Sequence, residues 1–166
     1  MAHADIDPAN PPRRRIGAVV LVLDEADRVL LVNPTYKEGW QLPGGGAAAG
    51  EPAAKAASRE LLEETGLDLW LSQILVVDYV PANEEGTSAE GYNLVFNGGS
   101  LTAEEARKVA IPESASKELS GLKWVPVPDL ENFVQPYQAR RIRAAVANLE
   151  TKRQQDFLEL GEAVAA

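Results

Sequence analysis

A short helix with three glutamates on one face constrains this chain more than any other feature of its sequence. A proline at the first turn and a glycine after the last predict a helix over residues 52–65. Glu60, Glu63 and Glu64 are spaced i, i+3 and i+4, so their carboxylates share one side of that helix. Like charges at this spacing repel one another, and no Lys or Arg follows any of the three by four residues. The pattern predicts that positive charge from elsewhere balances them.

Carboxylates gathered on a rigid helix are suited to a hard divalent cation. Mg²⁺ and Mn²⁺ prefer oxygen ligands, keep some of their waters and bridge to substrate phosphates, which is the chemistry of pyrophosphate hydrolysis. Just before the helix, Gly44–Gly46 permit a tight loop in which carbonyls can ligate a metal and amides can approach a phosphate. Arg59, beside Glu60, has a candidate partner in Glu51, and this pairing would fix the loop against the helix.

Apolar, β-branched runs separated by polar turns predict strands on both sides of this helix. They cover residues 16–23, 29–32, 40–42, 74–80, 92–96 and 122–127. A second, longer helical pattern extends from Pro136 to Glu159. Strands mixed with two substantial helices predict an α/β fold, with a mixed β-sheet between helices in an α/β/α layering.

The chain length is that of one domain with short extensions. With 166 residues and 45% hydrophobic composition, one core is expected. We expect a proline-rich, disordered lead-in over residues 1–13, the domain over 14–150, and a helix end followed by a tail over 151–166. Three adjacent arginines at 13–15 precede the first predicted strand, and we interpret them as solvated charges without a role.

The overall charge excludes several classes of partner. A formal net charge of -9 argues against binding to a nucleic-acid backbone or to an anionic membrane, although a small anionic substrate could still bind through metal ions.

The absence of cysteine excludes disulfides and thiolate zinc sites. No apolar run reaches the length of a membrane span, and no signal peptide is visible. We therefore expect a cytoplasmic protein.

The segment from Gly45 to Leu67 resembles a complete Nudix box. Gly45 is followed after five residues by Glu51, and after seven more by the run RELLEETGL at 59–67. The preceding WQLPGG, at 40–45, is also similar to the usual approach to the box. Ala48 departs from many members, which carry a further glutamate there, and this weakens what the resemblance says about substrate.

The resemblance implies both a fold and a metal site. The fold would be the Nudix α/β/α sandwich, and the cofactor would be Mg²⁺ or Mn²⁺. The metal ligands would be Glu60, Glu63 and Glu64, together with a backbone carbonyl of Gly44 or Gly45.

The resemblance also implies catalytic roles. Glu63 and Glu64 would be catalytic carboxylates, and Arg59 would orient them. Family members often recruit a further carboxylate from a late loop, as a metal ligand or as the general base for the attacking water. Glu118 is the first candidate for this role and Glu113 the second. For each of them, the interpretation as a surface glutamate without a catalytic role has equal weight.

Trp40 is the predicted substrate contact, because an aromatic ring just before the box could stack on a base. Aromatic residues in predicted strands more often belong to the core, so Trp40, Tyr79, Tyr92 and Phe96 each have both interpretations.

These features predict metal-assisted attack of water on a diphosphate that links a nucleoside to another group. A nucleoside triphosphate, or its oxidised form, is the favoured small-molecule substrate. The alternatives are an ADP-ribose or nucleotide-sugar pyrophosphatase and a catalytically silent metabolite sensor with the same fold. The late helix is a candidate dimer surface, so both a monomer and a homodimer remain open.

Overall fold

The computed structural model describes residue 7, residues 9–152 and residues 156–164. Within them the strands are β1 Arg15–Asp24, β2 Arg28–Pro34, β3 Gly44–Gly46, β4 Ile74–Val80, β5 Gly91–Leu101, β6 Leu119–Pro126, β7 Asp156–Glu159 and β8 Glu162–Ala163. The helices are α1 Ala53–Thr65, α2 Ala103–Lys108 and α3 Pro136–Thr151, with short 3₁₀ helices at Glu113–Ala115 and Val127–Asn132.

The apolar run that begins the domain forms the centre of the sheet. Most residues of β1 are buried, as expected for a strand covered on both faces. β1 pairs with β5 in parallel and with β2 and β3 antiparallel. The strand order is β6-β2-β1-β5-β4-β7-β8, with β3 paired to β1 off this path. The sheet is therefore mixed, as predicted.

One helix covers each face of the sheet. Ala57 and Leu61 of α1 share a core with Val20 of β1, whereas Ile142 of α3 shares another with Leu21 of the same strand. Since neighbouring residues of a strand point to opposite faces, α1 and α3 lie on opposite sides of the sheet. The predicted α/β/α layering is confirmed.

The ends of α1 follow from the two residues predicted to bound it. Pro52 precedes the helix in an extended conformation. Gly66 closes it in the left-handed region at φ 75°, where its N–H donates to the carbonyl of Leu62. Because the helix begins and ends at these residues, its last two turns carry the three glutamates and place them beside β3.

Three predicted elements differ from the structure. The segment predicted as a strand over 40–42 contains only an isolated bridge between Gln41 and Val32, because the N–H of Trp40 donates to the carbonyl of Phe133 instead of to a strand. Gly44–Gly46 form the short strand β3 against β1 instead of the predicted tight loop, because the backbone of β1 offers hydrogen-bonding groups there. The helix predicted to reach Glu159 ends at Thr151, where Lys152 adopts a left-handed conformation. The chain then adds β7 in parallel to β4, with Leu158 buried, so the expected helix end and tail contain a β-hairpin.

Most of the predicted lead-in over 1–13 lies outside the described residues, and its disorder stays a prediction. Of the helices that the structure describes, none is both long and apolar enough to cross a membrane.

Candidate active site

Helix α1 presents its three glutamates at different depths. The side chain of Glu63 is 56% exposed and that of Glu60 20% exposed, while Glu64 is half-buried. The opposite side of the helix is anchored in the core by Ala57 and Leu61, which fixes the direction of the acidic face. The shared face predicted from the spacing is therefore present.

Strand β3 lies directly against this acidic face. The backbone N–H of Gly44 donates a 2.7 Å hydrogen bond to Oε2 of Glu64. The carboxylate of Glu60 lies so close to Gly45 that a Cβ added there would be 2.6 Å from Oε1. Gly44 itself has φ 133°, and a Cβ on it would come within 2.3 Å of the carbonyl oxygen of Ala18. Gly44 is therefore required by its close approach to the backbone of β1, whereas a side chain at Gly45 would displace the carboxylate of Glu60.

Arg59 supplies positive charge to the acidic face. Its Nε and Nη2 donate to Glu51 at 2.9 and 3.0 Å, the pairing predicted from the sequence. Nη1 also donates to Glu60 at 2.9 Å and to Glu63 at 3.1 Å. Arg59 lies four residues before Glu63, so part of the balancing charge comes from the helix itself, on the N-terminal side of the glutamates.

The loop carboxylate of Glu51 is held as an anion. Its hydrogen bonds from Arg59 and from the backbone N–H of Ala48 lower its pKa to about 2. The carboxylate thus joins the turn at Ala48 to the helix at Arg59, and fixes the loop between β3 and α1.

Glu64 has the opposite environment. Desolvation of its carboxyl group raises its pKa to about 7, and the Gly44 N–H opposes this shift. The charges of Glu60 and Glu118 raise the pKa further and that of Lys37 lowers it. A nearby cation would favour the charged form of this carboxyl group.

The oxygen ligands beside β3 are of the kind that Mg²⁺ and Mn²⁺ bind. They include the carboxylates of Glu60 and Glu64 in contact with the glycine backbone, and the donor set contains no sulfur. As the side chains stand, however, no three acidic or histidine residues within the described ranges are grouped closely enough to hold one ion. The residue types fit a hard cation. One carboxylate oxygen of Glu60 and one of Glu63 already accept hydrogen bonds from Arg59.

A cleft of about 510 Å³ opens from β3 toward α3. Gly44 and Gly45 contribute to its wall, so it begins where the backbone contacts the glutamates. No aspartate or glutamate is found among the described residues that line it. Its polar and charged lining consists of Arg14, Arg15, Tyr36, Lys37, Gln41, Asn93, Tyr137, Gln138 and Arg141. The acidic helix and a basic cleft therefore adjoin in a chain whose net charge is -9.

The two candidates for the late carboxylate lie in different places. Glu118 is exposed, its backbone carbonyl accepts from the N–H of Thr35, and its charge reaches Glu64. Glu113 begins a 3₁₀ helix and is exposed. The choice between Glu118 and Glu113 stays a prediction.

Trp40 packs away from the cleft. Its ring meets Phe133 edge-on at a centroid distance of 6.2 Å, and the ammonium of Lys123 lies 5.4 Å from the ring centre. It does not belong to the cleft lining and is half-buried against the core on the α3 side. The prediction that Trp40 contacts substrate gains no support from this position.

Several cleft residues were missed by the sequence interpretation. Tyr36, 70% exposed, precedes the box in a loop that has no periodic signal. Asn93 and Arg141 belong to β5 and α3, far from the box in sequence, and only the fold brings them into the cleft. Arg15, interpreted as solvated, also lines the cleft.

Comparison with known proteins agrees with this geometry. The family model for the NUDIX domain matches residues 13–148. A Bacillus subtilis (strain 168) protein described as a putative 8-oxo-dGTP diphosphatase is 37% identical over 126 residues, covering 76% of each chain. An RNA pyrophosphohydrolase of Legionella pneumophila (strain Corby) is 29% identical over 151 residues, covering 82% of this chain and 83% of that protein.

Among solved structures, a MutT protein from Methanosarcina mazei Go1 superposes with a TM-score of 0.65 at 19% identity, covering 86% of this chain and 98% of that one. This likeness concerns the fold. Taken with the sequence relatives, the fold and the site define an enzyme that acts on pyrophosphate bonds. The chain belongs to the NUDIX domain family, whose hydrolases generally use divalent metal cations.

Proposed function

We propose that this chain hydrolyses the pyrophosphate linkage of a nucleoside triphosphate, with Mg²⁺ or Mn²⁺ as cofactor. The observation that carries the proposal is the contact of Glu60 and Glu64 with the backbone of Gly44 and Gly45 at the mouth of the cleft. The glutamates would provide oxygen ligands for the metal, and the cleft beyond them has room for a nucleoside.

The proposed metal ligands are Glu60, Glu63 and Glu64, with a backbone carbonyl of Gly44 or Gly45. The bound cation would neutralise phosphate charge and lower the pKa of a coordinated water. Glu60 and Glu63 contact Arg59 in the structure, so their carboxylates would have to turn partly away from the guanidinium to ligate metal. The bidentate pair of Arg59 with Glu51 would stay in place meanwhile and keep the loop fixed.

The remaining side chains have roles that follow from their positions. Glu118, whose charge reaches Glu64, is the proposed general base that takes a proton from the attacking water. Arg59 is a positioning residue, because it acts through the carboxylates that it contacts. Lys37, at the cleft wall and close enough for its charge to act on Glu64, is placed to offset phosphate charge.

A substrate panel tests the proposal directly. Purified protein with Mg²⁺ or Mn²⁺ is offered nucleoside triphosphates, 8-oxo-dGTP, ADP-ribose, a nucleotide sugar and a 5′-triphosphorylated RNA. We expect a nucleoside monophosphate and pyrophosphate from triphosphates, and loss of turnover when the metal is chelated. Turnover confined to ADP-ribose or nucleotide sugars would replace the proposed substrate class. No turnover on any compound would favour a sensor.

The site assignment needs variants with a matched control. Glu63→Gln and Glu64→Gln each remove one proposed metal-ligating charge with little change of shape, so activity should fall by at least about a hundredfold as transition-state charge stabilisation is lost. Glu104→Gln alters an exposed glutamate of α2, paired with Lys108 in the described structure, and should keep full activity. Full activity in both box variants would overturn the assignment.

A further inference from the structure

Arg15, at the start of β1, is fixed by the loop between β4 and β5. Its Nε donates to the carbonyl oxygen of Ala89 at 2.8 Å, and its backbone N–H donates to the carbonyl oxygen of Glu90, also at 2.8 Å. Gly91 pairs with Arg15, and a Cβ on Gly91 would lie 2.3 Å from the carbonyl oxygen of Arg15. Both the backbone and the side chain of Arg15 therefore have a defined position.

The contact with Ala89 leaves most donors of the guanidinium group available. Neither Nη1 nor Nη2 of Arg15 has a hydrogen bond within the described residues, and Arg15 is exposed. The two Nη atoms of an arginine form a planar fork that matches two oxygens of a phosphate. Because the Nε contact already holds the guanidinium, less side-chain freedom is lost when this fork binds a ligand.

The charge of Arg15 is not balanced, in contrast to that of its neighbour Arg14. Nε of Arg14 pairs with Oε1 of Glu90 at 2.8 Å, and Oε2 of Glu90 accepts from the hydroxyl group of Tyr79 at 2.7 Å. The carboxylate beside the two arginines is therefore already engaged. Arg15 donates to a neutral carbonyl and forms no ion pair with any described residue.

Arg15 is separated along the cleft from the glycines that contact the glutamates. Arg15 and Val19 lie on the same face of β1, and both line the cleft. Val19 pairs with Gly44, whose N–H donates to Glu64. At a rise of about 3.3 Å per residue, the four positions from Arg15 to Val19 span about 13 Å. A group bound by Arg15 is therefore different from a phosphate beside the proposed metal ligands.

The cations around the cleft act on one another. Desolvation lowers the pKa of Lys37, and the charges of Arg141 and Arg15 lower it further, whereas the charge of Glu64 opposes these effects. Arg141 has a counter-charge, because its Nε donates to Oδ2 of Asp78 at 2.6 Å. No aspartate or glutamate among the described residues lines the cleft. An anion bound near Arg15 would therefore reduce the repulsion between the cations.

We propose that Arg15 forms a second phosphate-binding subsite of the cleft, separate from the proposed metal ligands, in which its two Nη atoms donate to the oxygens of a phosphate group. That phosphate is either an ester on the ribose of the substrate or a free phosphate ion, and both present the same oxygens to the fork. The placement of a substrate-borne phosphate rests on the proposed function, because it assumes that a nucleoside extends from the metal ligands into the cleft. Binding of the phosphate itself requires neither metal nor turnover.

Arg15→Met and Arg13→Met separate this subsite from a general effect of charge. Both substitutions remove one positive charge at an exposed position, but Arg13 does not line the cleft. Each variant should keep the wild-type Tm, since substitutions at exposed positions change stability little. Arg15→Lys is a third variant, which keeps the charge and replaces the fork by a single ammonium group.

Binding is measured by calorimetry without metal, with the 5′-monophosphates and the 3′,5′-bisphosphates of adenosine and guanosine and with inorganic phosphate. If the ribose carries the phosphate, the wild type and Arg13→Met should bind a bisphosphate about tenfold more tightly than its monophosphate, the effect of one charged hydrogen-bonding group. If the ligand is a free phosphate ion, inorganic phosphate should bind the wild type and Arg13→Met about tenfold more tightly than it binds Arg15→Met. In either case Arg15→Lys should show an intermediate effect, because charge remains without the fork.

The inference is overturned if neither kind of phosphate binds more weakly to Arg15→Met, if Arg13→Met weakens binding equally, or if Arg15→Lys binds as the wild type does. Absence of binding by the wild type would also overturn it. The outcome for the proposed function is separate. Triphosphate hydrolysis without any Arg15-dependent phosphate binding would leave the function standing and remove the subsite. Arg15-dependent phosphate binding, without hydrolysis of any compound, would keep the subsite and remove the proposed function.

Discussion

The carboxylate of Glu64 accepts a 2.7 Å hydrogen bond from the backbone N–H of Gly44, and this contact joins the acidic helix to the central sheet. Gly44 is in turn paired with Val19 of β1. A glutamate that the sequence places on a helix is therefore held by the strand preceding that helix. The position of the site depends on backbone packing as much as on the side chains that would bind metal.

Replacement of Gly45 by alanine should reduce activity while the fold persists. The added Cβ would lie 2.6 Å from Oε1 of Glu60, which is the flexible end of a side chain and can move aside. The displaced carboxylate would then be misplaced for metal binding, and kcat should fall by about tenfold to a hundredfold, as misplacements near 1 Å commonly cause. Steady-state kinetics and thermal unfolding measure the two effects.

Gly46→Ala is the matched control for this substitution. A Cβ at Gly46 meets no atom within 4 Å, although the residue belongs to the same strand. It should therefore keep wild-type kcat and Tm. Equal losses of activity in both variants would mean that glycine is needed for flexibility of β3 and not for the approach of Glu60.

Arg59→Met should lower kcat without unfolding the protein. The substitution removes the hydrogen bonds to Glu51, Glu60 and Glu63, and it leaves the neighbouring carboxylates to repel one another. Arg59 is partly exposed, so solvent limits its effect on stability. We expect kcat to fall by about a hundredfold through loss of orientation.

Lys55→Met changes another cation of the same helix and serves as the comparison for Arg59. Lys55 is exposed and lies in the first turn of α1, away from Glu60 and Glu63 in sequence. Its kcat should stay within about threefold of wild type, since exposed charges contribute little. If Arg59→Met also keeps full kcat, the orienting role of Arg59 is wrong.

The pH dependence of stability should reveal the buried carboxylate of Asp24. Burial alone would raise its pKa, but hydrogen bonds from the Arg28 side chain and from the N–H groups of Arg28 and Ala26 outweigh this effect, so its pKa is lowered. The folded pKa thus lies below the unfolded one. The resulting stabilisation is present above the unfolded pKa and is lost as the pH falls through the folded pKa.

Asp24→Asn should therefore lose less unfolding free energy than the wild type between pH 7 and pH 3, as measured by urea denaturation. Asp27→Asn is the control, because Asp27 is exposed in the same turn and asparagine tolerates its φ of 56°. It should follow the wild-type pH profile. A profile for Asp24→Asn that coincides with the wild type would show that Asp24 contributes no such stability.

The sequence predicts best where local chemistry decides the structure. The ends of α1 follow from Pro52 and Gly66, and the acidic face follows from spacing alone. The α/β/α layering follows from apolar runs that are buried on both sides, as in β1. Local patterns of this kind need no knowledge of distant contacts.

The sequence predicts poorly where contacts distant in the chain decide. The helix predicted to reach Glu159 ends at Thr151, because residues 156–159 pair with β4 as strand β7. No local sequence pattern shows that β4 is available as a pairing partner. Arg141 looks like one more charge on a helix until Asp78, 63 positions earlier, is seen against it. The packing of Trp40 against Phe133 likewise depends on a contact distant in the chain, and the role of Trp40 in substrate binding stays a prediction.

Truncation of two adjacent leucines should show how α1 is anchored beneath the site. Leu61 is fully buried against the sheet, whereas Leu62 is 44% exposed on the next position of the helix. Leu61→Ala removes buried methyl groups and leaves a cavity, which should lower the unfolding free energy by about 2–5 kcal/mol. Leu62→Ala should cost below about 1 kcal/mol, because much of that side chain contacts water in the folded state. Urea denaturation of both variants measures the difference.

Because Leu61 anchors the turn of α1 that carries Glu60, its truncation should also loosen the acidic face and lower kcat at temperatures where the protein is still folded. Equal unfolding free energies for the two variants would mean that α1 is not anchored through Leu61.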